Sequence, residues 1–471
     1  RLGDSYFVTR DFRNAIKNYE KAYWLKQYDA DYALFQKAIC LGIQRDQDQK
    51  ISNLRTLVQT FPNSGLMDDA LYELGRSYER TGQTKTAEGY YRDIINDYPQ
   101  SSYRPKAILQ LGLVLYNQSE FNQSLNAYKQ VVEEYPNSPE AQSALLGIKN
   151  NYIELNNIDA YFAYTQRLGS DVQVSASEQD SLTYLAAEKS YMARDEQAKS
   201  QLERYLRQYP NGSFSLNAHF YLAEQRYADK EYALALKDYE WVLGKSDNIF
   251  TEPALVKASE LQFNASNYKQ ALNYYERLES ISNTQWNLLK ARAGKMRSHY
   301  SLGNYQACID AAKMLLGSEK LTDVLKREAN YKLAKSYYQT NQLQEALPVL
   351  GNLAEDTRSE EGAEAKYLLT EILYKQNKLT VAEEQVMDFI SKNTPHQYWL
   401  AKSFVLLSDI YLSQGDRFQA RHTIKSIVEN YPETDDGIIE TAQAKLQHLE
   451  SLDKQEEQEG KSPMKIDINE Q

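Results

Sequence analysis

Three aromatic-proline pairs, Phe61-Pro62, Tyr98-Pro99 and Tyr135-Pro136, stand 37 residues apart, each closing a stretch of the same pattern. The chain has 471 residues, more than one hydrophobic core supports, and a fixed period of this length belongs to arrays that add core unit by unit. Between the first two pairs lie Leu71, Leu74, Gly75 and Tyr78, then Ala87 and Tyr91; the next unit has Ile108, Leu111, Gly112, Leu115, Ser124 and Tyr128. Spacings of three and four put each set on one face of a helix. The small residues let two antiparallel helices approach closely, the large ones fill the space beside them, and proline stops the second helix.

Following the small residue of the second helix gives Ala15, Lys50, Ala87, Ser124, Ala160, Ala198, Ala235, Ala271, Cys308, Ala346, Ala382 and Ala420, at intervals of 35 to 38 residues. Twelve units follow, with Lys50 a misfit and the fifth unit loose. Five residues earlier come Gly82, Ser119, Ser266, Gly303, Asn341, Asn377 and Gly415, and Gly and Asn best tolerate the left-handed turn that ends a helix. With L-G-x2-Y, A-x3-Y and the closing proline in place, the units resemble the tetratricopeptide repeat superfamily, although no Trp opens the units quoted. The Tyr98-Pro99-Gln100-Ser101 and Tyr135-Pro136-Asn137-Ser138 loops are similar to those of Gram-negative envelope proteins of that superfamily. The resemblance implies an all-α fold: a right-handed α-solenoid superhelix of about twelve antiparallel helix pairs, here termed helix A and helix B.

The polar stretch from Gly169 to Asp180 is either a bend between an N-terminal block (1–170) and a C-terminal block (171–452) or a long inter-repeat loop. Ile438, Ile439, Ala442, Leu446 and Leu449 give the end of the second block the one-sided apolar stripe of a capping helix, and residues 453–471 read as a disordered polar tail. Arg1 opens in the middle of a repeat, so a segment upstream is expected.

A net charge of -11 argues against nucleic acid as partner, because phosphate neutralisation needs a basic face. No apolar run approaches the ~20 residues of a membrane span. Cys40 and Cys308 lie too many units apart to pair. The five histidines are scattered over different units, no C-x-x-C exists, and Gly244-Lys245-Ser246 lacks the earlier glycine of a phosphate loop, which holds Tyr239; neither metal, cofactor nor catalysis is expected.

A binding scaffold remains, with a protein or peptide partner along the concave surface and a role in cell-envelope assembly or maintenance. The alternatives are a glycan-binding surface protein, for which 38 Tyr would supply sugar platforms, and the binding arm of an enzyme whose active domain lies elsewhere. The superfamily's Lys and Asn clamp for a C-terminal carboxylate is absent at positions five and nine of helix A, which hold Tyr72 and Arg76, Leu109 and Leu113, Phe220 and Glu224, Tyr331 and Lys335, Tyr367 and Glu371. Position twelve is aromatic in five consecutive units, Tyr227, Phe263, Tyr300, Tyr338 and Tyr374, with Tyr331 and Tyr367 added at position five. These seven residues are the candidate binding stripe; the competing reading makes them packing between neighbouring helices.

Overall fold

The computed structural model describes residues 1–26, 28–169, 172–432 and 435–459, with side chains to residue 452. It holds 25 helices in packed antiparallel pairs, about twelve, and no strand among the described residues. Two compact units divide the chain, Arg1–Leu222 and Ala223–Gln471.

Within each pair the contact is made where the sequence places its small residues. A Cβ added to Gly75 would stand 2.5 Å from the Tyr91 ring, and one added to Gly112 2.7 Å from the Tyr128 ring. The tyrosine four residues after the helix B small residue therefore lies flat on helix A, and at Tyr19, Tyr91 and Tyr239 it sends its hydroxyl onward to a carboxylate. Tyr91 is fully buried and donates to Glu79 at 3.0 Å; Tyr19 donates to Asp4 at 2.8 Å. A buried phenol needs such a partner, and much of the tyrosine content is spent in this way: Tyr91, Tyr205 and Tyr239 head the fully buried side chains. Ser124, small but polar, donates to the Gly112 carbonyl at 2.7 Å.

Lys50 is the misfit the sequence shows, and its surroundings account for it. The side chain is 5% exposed, its aliphatic stem passes so close to Gly42 that a Cβ there would meet Cδ at 2.8 Å, and its ammonium donates to Glu73 of the next unit. Burial pushes the Glu73 carboxyl up, but Lys50 and Arg76 together outweigh it and hold the group below its usual range. A buried charge persists because it is paired.

The turns behave as expected. Gly82, Ser119, Ser266, Gly303, Asn341, Asn377 and Gly415 all have φ between 56 and 87°, and Arg10, Arg45 and Lys230 hold the same turn at 59, 67 and 63°. The fifth and sixth units correct the spacing: their left-handed residues are Asn156 and Arg194, one place later than counting back from Ala160 and Ala198 predicts. In the fifth unit the extra turn residue lets the Asn157 side chain cap the helix Ile158–Leu168, so Tyr161 is buried and Ala160 only half-buried.

In the first unit the proline loops also fasten neighbouring repeats. Ser64, two residues after Pro62, donates to Asp31 at 2.6 Å, and Ser101 donates to Asp68 at 2.5 Å; each aspartate sits in the first turn of the preceding helix A. After Pro210 the Ser213 amide donates to Asp180 at 2.7 Å, and Asp180 accepts from Tyr205 as well, at 2.6 Å. The stretch from Gly169 to Asp180 lies inside this first unit. Tyr161 and Tyr164 before it share one hydrophobic cluster with Leu182 and Ala186 after it, and the helix Ala176–Met192 starts on a Ser175 cap. Ser170 and Asp171 lie outside the described residues.

At the end of the second unit, Ile438, Ala442 and Leu449 are buried against Ala401, Ile424 and Ile427, as a capping helix requires. That helix, Ile438–Glu459, runs into the segment read as a polar tail; residues 460–471 lie outside the described residues. Cys40 and Cys308 are both buried and free.

Candidate binding face of the second unit

All seven stripe residues are half-buried. Tyr227 lies on the helix Ser215–Ala228, Phe263 on Thr251–Asn264, Tyr300 on Gln285–Ser301, Tyr331 and Tyr338 on Asp323–Gln339, and Tyr367 and Tyr374 on Glu360–Lys375. These are successive A helices. Three of the position-twelve rings rest on the first residue of their own helix B: Tyr227 on Tyr232 at 5.4 Å, Phe263 on Tyr268 at 5.2 Å, and Tyr300 on Tyr305 at 5.8 Å between centroids. One edge of each ring is thereby used in closing the turn.

The other side of the stripe meets the next unit. Lys257 places its Nζ 4.0 Å from the Tyr227 ring centre, Lys332 4.4 Å from Tyr300, Lys375 4.8 Å from Tyr338 and Lys402 4.6 Å from Tyr367. Lys402 also lies near the Trp399 ring, at 5.2 Å. Tyr338 donates to Glu371 at 2.6 Å and accepts from Lys375 at 2.7 Å; Tyr331 donates to Glu364; Tyr374 exchanges a 3.2 Å hydrogen bond with Ser413. Burial first, then the Glu364 carboxylate, push the Tyr331 phenol far above its ordinary range. Burial and Glu371 raise that of Tyr338. Both are neutral donors at any physiological pH.

Sequence reading missed the charges that accompany the rings. Position nine of one helix A pairs with the opening turns of the next. Lys290 reaches Glu260 at 2.7 Å, Arg297 reaches Glu328 at 2.6 Å, Lys335 reaches Glu364 at 2.7 Å, and Lys445 reaches Asp409. The signal was present as opposite charges about thirty residues apart, but it becomes visible only when one unit is laid against the next. Lys257, Lys332 and Lys402 differ from these: none has a carboxylate within ion-pair distance, and each is held over an aromatic ring. Burial pulls the Lys332 ammonium below its ordinary range, as a half-buried cation without a carboxylate of its own requires. Among the described residues the face therefore carries three lysines with no direct ion pair, Lys332 feeling Glu328 only through its charge, in a chain whose net charge is -11.

A family model described as tetratricopeptide repeat matches residues 69–101, 106–138 and 397–434, and a second of the same description matches 331–390. Over these four segments the chain matches tetratricopeptide repeats. The second model spans Tyr331, Lys335, Tyr338, Tyr367 and Tyr374, so the richest part of the stripe lies within matched tetratricopeptide sequence. Both models describe repeats, and neither a catalytic domain. Among solved structures, the chain is 13% identical to the Naa15/Naa10 complex bound to HypK-THB, over 93% of this chain and 69% of that one, with a TM-score of 0.44. It is 17% identical to YrrB, a tetratricopeptide protein with an unusual peptide-binding site, over 44% of this chain and 97% of that one, at 0.34. A tetratricopeptide repeat protein from Parabacteroides merdae is 14% identical over 65% and 98%, at 0.25. At such identities and TM-scores none of these likenesses bears on what the chain binds. No curated protein matches the sequence. No helix among the described residues is long and apolar enough to cross a membrane.

Proposed function

We propose that this chain is a non-catalytic scaffold that holds an extended segment of a partner protein along the A-helix face of its second unit. Tetratricopeptide repeats mediate protein-protein interactions, and one observation favours this face: Lys257, Lys332 and Lys402 stand over Tyr227, Tyr300 and Tyr367 with no carboxylate in direct ion-pair contact among the described residues. A segment with acidic side chains meets cations there that no other group of the chain pairs. The rings beside them offer apolar area and hydroxyls, the combination that dominates interface energies at about 2 kcal/mol or more per anchor.

The reading is tested by capturing partners from the native organism with the intact chain, with a Lys257→Gln, Lys332→Gln, Lys402→Gln triple variant, and with Tyr338→Ala, Tyr374→Ala. Loss of the same captured protein in both variants, with melting temperatures near wild type, supports the face. A large fall in melting temperature with residual binding unchanged leaves the rings as packing between neighbouring helices and removes the reading.

The compartment we propose is a Gram-negative cell envelope, in assembly or maintenance, on the strength of the Tyr98-Pro99 and Tyr135-Pro136 repeat type alone. A full-length gene with neither secretion signal nor anchor would remove it.

A further inference from the structure

A cavity of about 190 Å³ opens between the helices Tyr268–Ile281, Gln285–Ser301 and Tyr305–Leu316 of the second unit. None of the seven stripe residues lines it. Its wall is an internally satisfied ionic triad: Arg292 and Lys295 both donate to Glu279, at 2.9 and 2.7 Å, and Arg292 also donates to Ser318 at 2.7 Å. Both cations are thus hydrogen-bonded within the protein, and with one carboxylate between them the triad keeps one positive charge. The remaining polar groups are not so bonded. Glu276 and Asp310 are exposed at the rim and have no hydrogen bond or ion pair of their own. The His299 Nδ1 is buried and has no hydrogen-bond partner, which is rare for a buried polar atom and calls for an explanation. Burial holds the imidazole below its ordinary range, so it is neutral near pH 7 and adds no positive charge. Counting Glu276, Glu279 and Asp310 against Arg292 and Lys295 leaves one negative charge in excess.

The apolar part of the lining is Ala307, Ala311 and Met314, with Met314 half exposed at 50%. Two alanines make room for an aliphatic chain, and a flexible thioether closes over it. The volume is below the range of sites that hold drug-sized ligands and suits one long side chain. A cation-tipped aliphatic stem suits this lining: the stem covers Ala307, Ala311 and Met314, and the charge of the tip is complementary to Glu276 and Asp310 at the rim.

We propose that this cavity is a socket for a primary alkylammonium group, that of a Lys side chain on a partner protein. It goes beyond the A-helix face and does not depend on it. The test uses the full chain with its methionines carrying labelled methyl groups, Met314 being assigned through Met314→Leu. The chain is titrated with butylammonium, butanol, butyrate and the blocked peptide acetyl-Gly-Lys-Gly-amide. The Met314 methyl is expected to shift saturably with butylammonium and with the peptide, and not with butanol or butyrate. The Glu276→Gln, Asp310→Asn double variant should bind both cations about tenfold more weakly, and Ala311→Leu should abolish the shift by filling the cavity. A silent Met314, an equal response to butyrate or butanol, or unchanged affinity in the double variant would overturn the socket. Binding of butylammonium with exclusion of the blocked peptide would overturn the assignment to a partner's lysine. If the double variant loses its native methyl spectrum, Asp310→Asn alone, at an exposed position, serves the same comparison.

Discussion

In the first unit a serine just after a proline reaches back to an aspartate at the start of the preceding helix A, as Ser64 does to Asp31 and Ser101 to Asp68. In the second unit the links run along the A helices themselves, from Glu260 to Lys290, Arg297 to Glu328 and Lys335 to Glu364. In the first unit pairs of this kind join the helices Pro139–Glu154 and Ala176–Met192, where Lys149 meets Glu178 and Lys189 meets Glu154. The sequence carries the same division. Aromatic-proline pairs close repeats at 61–62, 98–99, 135–136 and 209–210, and then not again until Tyr431-Pro432. Where the rigid proline loop is missing, helix-to-helix register falls to long charged side chains, and these occupy the same face as the aromatic stripe. The two faces of the question about that stripe, packing or binding, are therefore parts of one arrangement. The pairs set the spacing of the rings, and Lys257, Lys332 and Lys402 are what the pairing leaves over.

The sharpest way to break this contrast is Lys335→Met. Glu364 is 7% exposed and would keep only the Tyr331 hydroxyl, so a loss of about 3 kcal/mol is expected, as for other half-removed buried pairs. Urea unfolding measures it, and a loss indistinguishable from zero would show that the ladder does not hold the second unit.

Acid comes next. In the second unit burial raises Glu328, but the bond from Arg297 outweighs it and the carboxyl is held below its ordinary range. The same balance, with Lys295 and Arg292, lowers Glu279, and Lys366 lowers Asp388. A carboxyl whose folded pKa is depressed adds stability that is present above the unfolded value, about 4.3 for Glu, and is lost as pH falls through the folded one. The first unit is mixed. Asp4, Asp11, Glu73 and Glu134 are lowered, the first two with carboxylates open to solvent, yet burial raises Asp69 and Asp93, and a raised carboxyl favours the folded state as pH falls. Amide exchange followed by mass spectrometry from about pH 5.5 to 3.5 should show protection failing first between residues 285 and 392; simultaneous failure in both units would contradict the contrast.

Smaller again is Asp68→Ala. It removes the acceptor of Ser101 at a half-buried site and should cost about 1 kcal/mol, with faster exchange confined to the neighbourhood of residues 67–104. The least is expected of Lys290→Ala, whose pair with Glu260 has both side chains about one-third exposed; about 0.5 kcal/mol is the scale for such a pair. A larger effect there would mean that the ladder acts as a network.

The elements and their pairing were legible because close helix contact demands small residues at fixed places and left-handed turns between them, and both leave marks in a single unit. Gly75 against Tyr91 and the turn at Asn341 are of this kind. What was hidden depends on two units at once. Nothing in the second repeat alone explains Lys50, since its partner Glu73 is in the third repeat. The one-residue slip at Asn156 was masked because Ala160 satisfied the expected small residue while Tyr161 took the buried place. Tyrosine abundance was read as possible ligand platforms, whereas Tyr91, Tyr205 and Tyr239 are core with a polar outlet. The stripe itself was found by its period, but the lysines over it were not, because their partners are rings on the preceding helix A.

Lys50 also limits how this array could be rearranged. A unit whose small residue is alanine can in principle be deleted, duplicated or moved, because what it asks of its neighbours is generic. The second repeat asks for Gly42 within itself and for a carboxylate at position 73 in the repeat that follows. Excised alone it would strand a buried ammonium at its new junction and leave a half-buried Glu73 with only Arg76 at the old one, so the second and third repeats form an inheritable pair, and a shuffled or shortened version of this chain should be cut outside them.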